Sequence, residues 1–94
     1  MTFEANGQIY ELKYNIRALR TIEDVFQCPL PELQNKFEKG IGINDLVKFF
    51  QIGLMHANPG ITVEQVDTII DNIGIEKAAE LFAAAFQEAF QKKV

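Results

Sequence analysis

An Asn6-Gly7 pair stands between two short extended segments, and just beyond them the hydrophobic period changes once, from two to that of a helix. Asn-Gly supplies the positive φ angles that a two-residue type I′ turn requires, so the first thirteen residues read as a β-hairpin. Counting outward from the turn sets the register. Phe3 faces Tyr10 and Met1 faces Leu12 on a greasy side shared with Ala5 and Gln8, while Thr2, Glu4, Glu11 and Lys13 point the other way with Ile9. A lone two-stranded hairpin is marginal in water, so its greasy side must cover helices, and at least one strand edge stays open unless something pairs with it. The expected fold is mainly α with a short N-terminal β-hairpin, an α+β domain spanning 1–94, with the hairpin at 1–13 and a helical part at 15–94.

Four to five helices follow from periodicity and punctuation. Asn15 can cap a first helix carrying Ile16, Leu19, Ile22 and Phe26, which should end near Gln27. Pro29 holds Cys28 in extended backbone, and Pro31 suits the first position of a short helix running through Phe37 and stopping in Gly40-Ile41-Gly42. A third helix, capped by Asn44, is expected from Asp45 to about Ala57 and is closed by Asn58-Pro59-Gly60. Leu46, Val47, Phe49, Phe50, Gly53, Leu54 and Ala57 fill one broad arc of it, yet Ile52 and Met55 fall opposite, among Lys48 and Gln51. A helix apolar nearly all round is either the centre of its own domain or in contact with another chain.

Thr62 and Gln65 form a capping box for a fourth helix, with Val66, Ile69, Ile70 and Ile73 on one side, Asp67 and Asp71 on the other, and Gly74 at its end. The last helix should run from near Ile75 toward Lys92. It gathers Ala78, Ala79, Phe82, Ala85, Phe86, Ala89 and Phe90 on one face.

Composition removes several function classes. Nine Lys plus Arg against thirteen Asp plus Glu give a net charge of −4, the wrong sign for following a phosphate backbone, and no basic stripe with interleaved aromatics emerges. Nucleic acid is therefore not an expected partner. Cys28 is the only cysteine, which leaves no intrachain disulfide and no thiolate cluster for zinc. No run approaches the roughly 18 apolar residues of a membrane span, and the N-terminus lacks the basic-then-apolar order of a signal peptide, so a cytoplasmic protein is expected.

Catalytic, cofactor and metal sites are all read as absent. His56, the single histidine, has no neighbouring His or Cys at metal-ligand spacing and reads as a polar side chain in a last helical turn. Cys28 has no local base or oxyanion donor to make it a nucleophile, and adjacent Glu23 and Asp24 diverge on a helix. Gly40-Ile41-Gly42 lacks both the third glycine and the preceding strand of a dinucleotide-binding loop. What stands out is eight phenylalanines, of which Phe49, Phe50, Phe82, Phe86 and Phe90 lie on the third and last helices. Core packing is the default reading of such a stripe, and a partly exposed docking surface is the alternative. Ile52, Met55, Phe82, Phe86 and Phe90 are accordingly the candidates for protein contact. A domain this small buries only about 60 to 65% of its unfolded surface, so self-association is also expected.

The order of features resembles the small tail assembly chaperones of long-tailed bacteriophages and prophages, particularly the type related to a gene transfer agent tail protein. The resemblance rests on Gly7-Gln8-Ile9-Tyr10-Glu11-Leu12 leading into a helix with Leu19 and Glu23, on Gly53-Leu54-Met55-His56, on Thr62-Val63-Glu64-Gln65-Val66, and on an alanine-rich C-terminal helix. Pro29-Leu30-Pro31 gives this chain a more rigid first loop than the family pattern. The resemblance implies a non-enzymatic role without cofactors. Such chaperones coat the aggregation-prone tape measure protein while tail tube subunits polymerise around it, act in the cytoplasm of the bacterial host, and are absent from the mature virion. It also implies a longer frameshifted form; Lys92-Lys93 is read either as a pair of helix-end charges that complement the dipole or as the product of an adenine-rich slippery stretch.

Two other readings compete. A structural tail or head-to-tail connector subunit would share the small size and self-association but remain in the particle. A small prophage DNA-binding regulator is disfavoured, because the helix after Asn58-Pro59-Gly60 carries Glu64, Asp67 and Asp71 and no Lys or Arg.

Overall fold

The turn chemistry at Asn6-Gly7 is realised in the computed structural model, which describes residues 1–90 apart from the side chains of Glu38 and Phe90: the two residues take φ of 53° and 76°. They join β1 (Thr2–Ala5) to β2 (Gln8–Glu11), with Phe3 opposite Tyr10 and Glu4 opposite Ile9, as the outward count requires. The ladder extends one pair further, since Leu12 N–H donates to the Met1 carbonyl at 2.8 Å and the Met1 amino group to the Leu12 carbonyl at 3.2 Å. Phe3, Ala5 and Leu12 are buried while Ile9 is 77% exposed, so the hairpin covers helices with its greasy side only.

Five helices follow: α1 (Ile16–Phe26), α2 (Leu30–Glu38), α3 (Ile43–Leu54), α4 (Val63–Ile73) and α5 (Ile75–Phe90). Asn15 caps α1 through a 2.9 Å bond from Ala18 N–H, and Gln27 ends it in the left-handed conformation. Thr62 and Gln65 make both bonds of the capping box on α4, at 3.2 and 2.9 Å. Gly74 ends that helix at φ 92°, a conformation that disfavours any residue with a Cβ.

Three local expectations are corrected. α2 starts at Leu30 rather than Pro31, because the Glu23 carboxylate of α1 accepts the Leu30 N–H at 3.0 Å and supplies a cap across the loop. α3 starts after Gly42, whose carbonyl takes the Leu46 N–H at 2.9 Å, so Asn44 lies inside the first turn; it ends at Leu54 rather than near Ala57. Ile16, counted in the apolar stripe of α1, is the exposed first residue of that helix, and Ala18, Leu19 and Ile22 make its buried face. The C-terminal residues 91–94, including Lys92 and Lys93, lie outside the described residues.

α3 is the centre of the domain. It packs against α1, α4, α5 and β2, which answers the choice its all-round apolarity left open. The Phe49 ring sits 4.6 Å from Phe26, 4.7 Å from Phe37 and 4.6 Å from Phe82, so four helices converge on one aromatic side chain. Tyr14 stands edge-on to Phe82 and Phe86 at 5.9 and 5.8 Å. Gly53 lets the hairpin close onto α3: Lys13 N–H donates to its carbonyl at 3.0 Å, and a Cβ there would lie 2.6 Å from Leu12 Cδ1 and 2.9 Å from Tyr14 Cζ.

Candidate protein-contact surface

Among the described residues no group of three or more His, Cys, Asp and Glu is placed to hold a metal ion. Among the same residues no helix is long and apolar enough to cross a membrane. Partial burial, followed by the hydrogen bond to and charge of Glu32, pushes the Cys28 thiol above its ordinary pKa; Sγ–H donates to Glu32 Oε2 at 3.2 Å. That is the opposite of thiolate activation. His56 Nε2 lies 3.0 Å from the Glu11 carbonyl and 3.8 Å from the Glu11 carboxylate, so the ring ties the end of α3 to β2.

Four of the five contact candidates border two clefts. Phe82 and Phe86, on α5, are 3% and 5% exposed and belong to the core, but their edges floor a groove of about 570 Å³ between α5 and α2 with its following loop. Phe37 and Ile41 line one wall and Ala79 and Ala83 the other. Among the described residues no charged side chain lines it, and its polar side chains are Gln34 and Gln87. Ile52 is 7% exposed, because α1 covers the side of α3 that the helical wheel had placed outward; Met55, one turn on, is 41% exposed. Both border a smaller cleft of about 290 Å³ with Ala18, Pro59, Arg17 and His56. Phe90 closes α5, and its side chain lies outside the described set.

Two residues that sequence reasoning passed over prove central. Tyr14, buried beside the last helix, occupies the position before the Asn15 cap, where an apolar residue paired with one at Leu19 is the pattern of a hydrophobic staple; that spacing was the available signal. Leu33 is buried as the anchor of α2, a short helix whose periodicity is too brief to announce its inner face.

The remaining exposed large apolar residues, among them Ile16, Val25, Ile43, Val63 and Ile75, are scattered over different elements, as is ordinary for a soluble surface. The groove over α5, by contrast, brings several apolar side chains together where a partner could reach them. The chain matches the family described as phage tail assembly chaperone protein, TAC, over residues 2–93. No curated protein and no solved structure matches it. With the family pattern covering nearly the whole chain, this protein belongs to the phage tail assembly chaperones.

Proposed function

We propose that this chaperone acts without catalysis, binding an apolar helical segment of the tape measure protein in the groove between α2 and α5 and shielding it while tail tube subunits polymerise. The observation that carries the reading is the groove itself: aromatic at its base, walled by alanines that allow close helix approach, and with no charge among its described lining residues. Acidic faces elsewhere, at Glu64, Asp67 and Asp71 on α4, keep the loaded complex dispersed. The site of action is the cytoplasm of the bacterial host, and the protein leaves before the virion is complete. Met55 and the cleft beside it extend the contact surface, and the chaperone self-associates.

Ala83→Glu tests the groove. Ala83 lines it yet is itself exposed, so the substitution places a charge in the groove without opening a cavity in the core. The expected result is an unchanged melting temperature with loss of co-purification of a tape measure fragment. Unchanged co-purification would remove the groove from the account, and recovery of the chain in purified virions would favour a connector subunit instead.

A further inference from the structure

The two edges of the hairpin differ. Met1 and Leu12 exchange both backbone hydrogen bonds, so the alternation of an antiparallel ladder makes Phe3–Tyr10 and Ala5–Gln8 bonded pairs as well. Thr2 and Glu4 on β1, and Ile9 and Glu11 on β2, then turn their N–H and C=O groups outward. On the β2 side the row is already interrupted: the Glu11 carbonyl is taken by His56 and the Lys13 N–H by Gly53. On the β1 side no described residue takes the groups of Thr2 and Glu4. The free row ends at Asn6, whose N–H donates to Asn72 Oδ1 at 3.0 Å. β1 has no proline, lysine or bulge to blunt its edge, and both outward residues are exposed.

We propose that β1 pairs with β1 of a second copy across a two-fold axis at Phe3, joining two hairpins into one four-stranded antiparallel sheet. The proposal gives the self-association suggested above a surface and rests on that part of the reading.

The sequence of the edge selects the register. With Phe3 opposite its own copy, Thr2 faces Glu4 of the other chain, and both residues of each such pair exchange N–H···O=C bonds, four in all. Sliding by two residues one way sets Glu4 against Glu4, two carboxylates directly opposed, and sets Thr2 against Asn6, whose N–H is already engaged. Sliding the other way leaves Glu4 without a partner. Only the central register uses every free group and separates the charges. A two-stranded sheet is the least stable kind, and doubling it adds strands at no cost to either core.

The test uses the full chain without client, so that its failure overturns the edge pairing and leaves groove binding to the Ala83→Glu experiment. Sedimentation at tens of micromolar should give twice the monomer mass, with Thr2 and Glu4 amide exchange slowed by at least about tenfold as concentration rises. Glu4→Pro removes one outward N–H at an edge position that tolerates proline and should return a monomer with unchanged circular dichroism. Should that variant fold poorly, register can be read in a Cys28→Ser background: mixed Thr2→Cys and Glu4→Cys chains should cross-link on oxidation far faster than Thr2→Cys chains alone. A monomeric wild type, a dimer that survives Glu4→Pro, equal cross-linking in both mixtures, or protection of Thr2 and Glu4 only when a client is added would overturn the proposal.

Discussion

The Tyr14 hydroxyl donates a 2.8 Å hydrogen bond to the carbonyl of Phe49, joining the end of the hairpin to the middle of α3 inside the core. Burial without a charged partner drives the Tyr14 pKa well above its ordinary value. A phenol whose folded pKa is raised contributes no pH dependence below about 10, where both states are protonated. As pH rises beyond that, the unfolded chain ionises first and folding stability falls. Tyr14→Phe should therefore cost about 0.5 to 1.5 kcal/mol at neutral pH and flatten the alkaline loss of stability, as read by urea denaturation from about pH 7 to 11. An identical alkaline slope in both proteins would contradict the assignment.

Gly53→Ala should destabilise although alanine favours helix. The new methyl meets Leu12 and the ring of Tyr14, and neither can move freely, since both are buried and Tyr14 is fixed by its bond to α3. Overpacking of this kind costs about 1 to 3 kcal/mol, against a propensity gain of roughly 0.5 to 1. Thermal denaturation decides it, and a variant more stable than the wild type would mean that the hairpin does not close on α3.

Phe82→Ala removes a ring that touches Phe49, Phe37, Phe86 and Tyr14, and it should cost about 3 to 5 kcal/mol. Phe86→Ala should fall in the same range. A melting temperature that hardly moves in either variant would mean that these rings serve a partner rather than the core. Because both also floor the groove, they are poor probes of client binding, and exposed Ala83 is the better one.

The local part of the fold was legible in the sequence because its signals are short-range. Asn6-Gly7, the Asn15 cap, the Thr62–Gln65 capping box and Gly74 each act within four residues, and each appears where it was read. What escaped depends on tertiary contact. The wheel of α3 placed Ile52 outward, but it cannot show that α1 lies over that side; the start of α2 moved because Glu23 reaches across a loop to Leu30. The Phe82 and Phe86 stripe was visible as apolar periodicity. That it is both core and groove floor follows only from the stand-off of α2, which Leu33 and Phe37 hold against the domain.

Cys28 should alkylate slowly for a loop thiol. Partial burial and the neighbouring Glu32 carboxylate both favour the protonated form, so iodoacetamide at about pH 8 should react faster in denaturant than in the native protein. Glu32→Gln removes the negative charge and should speed the native reaction. A native rate above the denatured one would point to an activated thiolate.

The central claim is that this chaperone keeps a hydrophobic tail protein soluble by direct contact, and the most direct measurement is the amount of soluble tape measure protein made with and without it in the same cells. Co-expression should move most of the tape measure protein into the supernatant, where it sediments together with the chaperone, and Ala83→Glu should reverse the effect. If the tape measure protein is equally insoluble in both cases while the chaperone stays folded and abundant, the account is wrong.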